Sequence, residues 1–235
     1  MRLIKFFALL CFSGAILLSS YLPRSLLGKI QPSPTPDPLD HFIFLPIVLR
    51  GHPGAERIEI PSKSVFVILA RGETLEEAHR AERGIVYPIE WLRKIVAQIS
   101  PPDEYSRDWY VVRSYISFDT SEIAGRKVVS ATLLLIADSH REVFDIAVHK
   151  GEWEDPPSLS DFNEFGSLLS LRSTEEFPPE GEDFLFPLPP FVALEETKFV
   201  LKHRTDHEEV PSHEQATFFA FVREWHAKLI VWLER

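Results

Sequence analysis

Three histidines crowd into one short stretch near the end of the chain. His203, His207 and His213 lie in the string HRTDHEEVPSHE with Asp206, Glu208, Glu209 and Glu214. Imidazole mixed with carboxylate is zinc chemistry, and a dense group of carboxylates is calcium chemistry. The spacing fits neither well. His203-x3-His207-x5-His213 is no zinc signature, no HExxH is present, and the acidic residues lack the Asp/Asn/Gly frame of a calcium loop. His203, Asp206, His207 and His213 are the metal candidates, with calcium the cofactor to consider. The plainer reading is a solvated loop between two strands.

Paired carboxylates are the second possibility. Glycoside hydrolysis needs two of them about 5–10 Å apart across a cleft. Glu175 with Glu176, Glu152 with Glu154, and Glu180 with Asp183 supply pairs, but 35 acidic residues produce such pairs freely. No Gly-x-Ser-x-Gly elbow and no glycine-rich phosphate loop appears. The aromatic residues carry the third possibility. Trp91, Trp109, Tyr110, Trp153, Trp225 and Trp232 are many for a domain of this size. Aromatic faces bind sugar rings, although tryptophan in a β-protein more often fills core or rim. Trp109 and Tyr110 at a strand start, and Trp153 in a loop, are the ligand-binding candidates.

The elements that must position these residues read as strands. YVVRSYISFD (110–119) alternates with period two: Val112, Ser114, Ile116 and Phe118 on one face, Val111, Arg113, Tyr115 and Ser117 on the other. This is the pattern of a half-buried strand. Further runs lie at 65–69, 128–136, 142–149, 197–204, 217–222 and 227–233, separated by Pro, Gly and acidic turns. Residues 75–82 suggest a helix. Residues 88–98 fit a helical stripe, yet they are equally β-branched. Many short strands with turn punctuation predict an all-β fold, an antiparallel β-sandwich of jelly-roll type with short helical turns.

The N-terminal part has a different texture. Arg2 and Lys5 precede a nearly unbroken apolar stretch from Phe6 to Leu22, the layout of a secretory signal peptide or an uncleaved anchor. Residues 1–28 form that segment. Residues 29–57 hold alternating prolines (Pro32, Pro34, Pro36, Pro38) and a short apolar run, FIFLPIVL at 42–49. The proline stretch reads as a semi-rigid spacer. Residues 58–235 form the expected sandwich. Cys11, the single cysteine of the chain, lies inside the signal, so a processed chain has no disulfide to form. The formal net charge of −10 argues against a nucleic-acid partner. A membrane contact is expected only through an uncleaved N-terminal segment.

A family resemblance covers roughly residues 74–235. RSYISFDTSEI (113–123) followed by VSATL (129–133) resembles the pattern of DNRLRE-type secreted jelly-roll modules, which are similar to carbohydrate-binding modules. DIAVHKGEW (145–153), SDFNEFG (160–166), TKFVLK (197–202) and AKLIV (227–231) continue it, with Ala227 where the family has proline. The resemblance implies a β-sandwich at the cell surface or in the medium, with carbohydrate or a cell-envelope polymer as partner. It names no nucleophile. Within it, Phe118 should anchor the core, Asp119 to Ser121 should set a turn, and Val129 and Leu133 should face inward. The expected function is an exported non-catalytic module binding carbohydrate. The alternatives are a structural spacer or adhesion module, and a polysaccharide hydrolase.

Overall fold

The computed structural model describes residues 55–205, 211–221 and 227–235. The signal or anchor segment, the proline spacer, Asp206, His207 and Trp225 lie outside them. The fold is all-β and every strand pairing is antiparallel. In chain order the elements are β1 (Glu56–Gly72), α1 (Leu75–Arg80), β2 (Arg83–Pro88), α2 (Ile89–Leu92), β3 (Lys94–Ser100), β4 (Trp109–Asp119), β5 (Lys127–Arg141) and β6 (Asp145–Gly151). There follow β7 (Phe165–Ser173), β8 (Asp183–Leu188), β9 (Phe191–Val192), β10 (Glu196–His203), β11 (Gln215–Ala220) and β12 (Lys228–Leu233).

The strands form a sandwich of two sheets. In the first, β4 lies between the later part of β1 and β10, with β2 beyond β1 and β6 then β7 beyond β10. In the second, β12 and β11 follow one another along one side of β5, and β8 and β9 lie on its other side. Two strands join the sheets. The early part of β1 pairs with β12, and its register breaks at Ser62–Ser64, where the strand passes to β4. Bends and bulges are how strands change sheet in a sandwich. β3 pairs with both β11 and β4. The pairings therefore close a ring, β1–β12–β5–β11–β3–β4 and back to β1.

Alternation places the main core between the sheets. Val65, Val67, Val112, Ile116, Phe118, Phe199, Leu201, Ile146 and Val148 face inward from the first sheet. Leu133, Leu135, Phe184, Phe186, Phe219, Leu229 and Val231 meet them from the second. Phe118 is the anchor its motif implies, edge-on to Phe199 at 5.8 Å between ring centroids.

The turn after it is also as the residue types demand. The Asp119 carboxylate accepts from the Ser121 backbone N–H at 3.1 Å and from its hydroxyl at 2.6 Å. The Thr120 hydroxyl donates to Leu194 O at 2.7 Å.

The structure corrects three expectations. β4 is buried on both faces, because its second face carries a covering layer of its own. Residues 88–98 are neither one helix nor one strand. Arg93 adopts a left-handed φ of 54° and its N–H bonds Ile89 O, which ends α2 after one turn. The β-branched Ile95, Val96 and Ile99 then run on as β3, where branching at Cβ is favoured. Val129 does not face the core. The register shift where β5 meets Trp232 and Leu233 puts Val128 inside and leaves Val129 with the cluster on the opposite side of the sheet.

Candidate functional site

The covering layer on the first sheet holds two of the sequence-predicted residues, Trp153 and, at its margin, Trp109. Arg113 and Tyr115 project outward from β4, beside Ile68 and Ala70 of β1 and Val200 of β10. A strap runs over them from Trp153 to the 3-10 turn Leu159–Asn163. Ser158 and Asp161 cap that turn reciprocally: the Asp161 carboxylate accepts from Ser158 N–H at 2.7 Å. Arg113, fully buried, donates to Phe162 O at 2.7 Å and to Asn163 Oδ1 at 3.0 Å. Its guanidinium lies 4.1 Å from the centroid of the Phe162 ring. The Tyr115 hydroxyl donates to the same Phe162 carbonyl at 2.7 Å, and Asn163 Nδ2 donates to His79 O of α1 at 2.9 Å.

Trp153 occupies the start of this strap and is 3% exposed. Its ring stands edge-on to Tyr115 at 5.8 Å, and Lys198 Nζ sits 4.6 Å from its centroid. The same ammonium donates to Trp153 O at 2.9 Å. A Cβ on Gly151 would come within 2.7 Å of Trp153 Nε1, so the glycine makes room for the indole. Trp153 is therefore an internal packing residue, and its ring offers no open face to a sugar.

Trp109 is half-buried against the same layer. Tyr110 follows it directly in β4, so its side chain leaves the opposite face of the strand. Its hydroxyl bonds that of Ser106 at 2.7 Å. The three residues expected to form one aromatic platform are thus split between a buried strap, a half-buried rim and the opposite face.

Beside Trp153 lies a charged group. Lys63 donates to the Glu196 carboxylate at 2.7 Å, Lys198 pairs with it at 2.9 Å, and Ser64 bonds Ser117 at 2.7 Å and Asp155 at 3.2 Å. Burial works to raise the Glu196 carboxyl, but its hydrogen bonds from Lys63 and Lys198 outweigh that and hold it below the ordinary carboxylate value of 4.5. A depressed folded-state value means stabilisation that is present at neutral pH and lost as pH falls from about 4.5 through the lower folded value. Glu196→Gln is expected to lower the urea midpoint at pH 7, with the deficit shrinking to nothing as pH falls through that window. A deficit that persists at the acid end would mean Glu196 acts through packing and not through its charge.

The histidine string divides. His203 belongs to β10, is 3% exposed, lies stacked on Phe144 at 4.4 Å and shares a 2.8 Å hydrogen bond between Nε2 and Gln215 Oε1. His213 is exposed. Asp206 and His207 lie outside the described residues, among which no group of three or more His, Cys, Asp or Glu side chains is placed to hold a metal.

The carboxylate pairs are likewise scattered. Glu176 pairs with Arg172 and Glu152 with Lys150, while Glu175, Glu180 and Asp183 stand exposed. Among the described residues, the most exposed aromatic was not one of the ligand-binding candidates. Trp91, on α2, is 78% exposed, and Tyr105 is 70% exposed. They sit at opposite ends of β3, on the segments before and after it. The signal for Trp91 was its place in a segment that reads equally as helix and as strand.

No family model matches the chain, and no curated protein matches it. Among solved structures, a CocE/NonD family hydrolase from Staphylococcus aureus matches with a TM-score of 0.34 and 11% identity. The match covers 77% of this chain and 37% of the hydrolase's length.

Proposed function

We propose that the chain is an exported, non-catalytic β-sandwich module with a structural or adhesive role at the cell surface or in the medium. The observation that carries this reading is how the candidate binding residues are used. Trp153 and Arg113 fix the strap to the first sheet, and Trp109 and Tyr110 leave opposite faces of one strand. Such a surface adds stability and shape, and it does not gather aromatic rings for a ligand. The apolar N-terminal stretch, the alternating prolines and the resemblance to secreted jelly-roll modules support export.

A second reading has one observation in its favour. Trp91 stands 78% exposed on a one-turn helix, where a ring can meet a sugar of a cell-envelope polymer. Retention of the full chain on insoluble polysaccharides, with and without a chelator, tests both. The structural reading expects no retention above an inert resin. Retention abolished by Trp91→Ala would replace it with carbohydrate binding. Retention abolished by the chelator would replace it with metal-dependent binding and would bring the acidic histidine loop to the centre.

A further inference from the structure

An edge strand carries a row of unpaired N–H and C=O groups, which makes it the place where a β-protein can take up another chain. Among the described residues such edges lie at β2 and β7, the two ends of the first sheet, and at β8 and β9 beside β5. Most of them are blunted. β7 breaks register against β6, and its Arg172 reaches across to Leu185 O of β8 at 2.9 Å. β8 contains Pro187 and is followed by Pro189 and Pro190. β2 has an unbroken register and no charge at its middle. Its residues are Arg-Gly-Ile-Val-Tyr-Pro, of which Ile, Val and Tyr favour extended chain. Ile85 is 48% exposed, and Trp91 and Leu92, 78% and 37% exposed, follow on α2.

Proline fixes which backbone groups of β2 face outward. The two residues of a hydrogen-bonded antiparallel pair exchange both their N–H···O bonds. Pro88 is in register with Phe66 and has no N–H, so that pair is of the other kind. Alternation then bonds Tyr87 to Val67 and Ile85 to Leu69. The N–H and C=O groups of Gly84 and Val86 point away from β1, and no described strand lies on that side.

A second β2, laid antiparallel about a two-fold axis through Ile85, satisfies these groups in full. Gly84 of each copy then faces Val86 of the other, and both pairs exchange both bonds. An axis through Val86 would instead set Gly84 against Pro88 and leave the Gly84 carbonyl without a donor. With the axis at Ile85, the two isoleucines meet at the close spacing of a non-hydrogen-bonded pair, about 4.5 Å between Cα atoms. Arg83 of one copy stands opposite Tyr87 of the other, a cation beside an aromatic ring. A two-fold contact needs this self-complementarity, since each patch must bind its own copy. We propose that two copies of the chain pair edge to edge through β2, so that the first sheets of two sandwiches run on as one.

Sedimentation of the full chain together with amide hydrogen exchange tests this. The contact is short, so the mass is expected to double only as concentration rises from about 1 μM to about 1 mM. Ile85→Lys places a charge at an open edge position and is expected to weaken association at least about tenfold while leaving the unfolding midpoint unchanged. Leu168→Lys, at a 51% exposed position on β7, is expected to leave association intact. In the unaltered chain the amides of Gly84 and Val86 are expected to exchange freely when dilute and slowly when concentrated, while those of Ile85 and Tyr87 stay protected in both. A chain that remains monomeric up to about 1 mM would overturn the proposal. A dimer that Ile85→Lys leaves intact would do the same, as would one that forms without added protection of Gly84 and Val86, because association would then use another surface.

Discussion

Arg113→Ala is expected to lower the unfolding free energy by about 4 kcal/mol, read as a shift of the urea midpoint. The guanidinium is fully buried and reaches two acceptors on the strap, Phe162 O and Asn163 Oδ1. It also lies against the Phe162 and Phe165 rings, at 4.1 and 5.2 Å from their centroids. Alanine removes charge-assisted hydrogen bonds, leaves a carbonyl with one donor fewer, and opens a cavity under the strap. Lysine is expected to restore little of the loss. Its compact ammonium can neither fork between two acceptors nor lie flat on a ring. A midpoint unchanged in Arg113→Ala would show that the strap is held by its apolar contacts alone.

Trp153→Ala is expected to cost about 3–5 kcal/mol, as for other large buried aromatic residues. Trp91→Ala, at an open surface position, is expected to change stability by no more than about 0.5 kcal/mol. The contrast between the two variants separates packing from display. A sugar platform would show the reverse: a mild effect of Trp153→Ala on folding and a loss of retention on polysaccharide. Both variants are read by the same denaturation curve, with the slope checked for a change in the surface exposed on unfolding.

The alternation of β4, β5, β6 and β10 made the sandwich legible, since apolar residues two apart must share a face. What alternation could not supply was a third layer. Arg113 and Tyr115 look like solvent-facing residues, but both carry a long body and a polar tip. Their bodies pack on the sheet while their tips reach strap carbonyls, so burial leaves their polar atoms satisfied. Trp153 read as a loop residue because glycine and prolines surround it. The useful signal was Gly151 itself, a position kept bare so that an indole can lie on it.

The histidine string divides for a related reason. His203 continues the inward parity of Phe199 and Leu201, so it belongs to the strand and stacks in the core's margin. Proximity in sequence grouped it with His213, although His203 ends β10 and His213 lies in the bend before β11. β1 was legible only at Val65 to Leu69. Its first half carries charges and a proline because it forms the margin of the second sheet, and only its second half is central to the first.

The ring of pairings also sets an order in time. β12 is the last of the described strands, yet it stands between β1, the first of them, and β5, the spine of the second sheet. A chain that emerges from its N-terminus, from a ribosome or through a membrane pore, carries β1 to β11 in full before residues 228–233 appear. Until then the early half of β1 has no neighbour and the core beneath Leu229 and Val231 stays open. Such non-local closure is slow and cooperative. The second sheet therefore closes only once residues 228–233 are available, however much of the preceding chain is already in place.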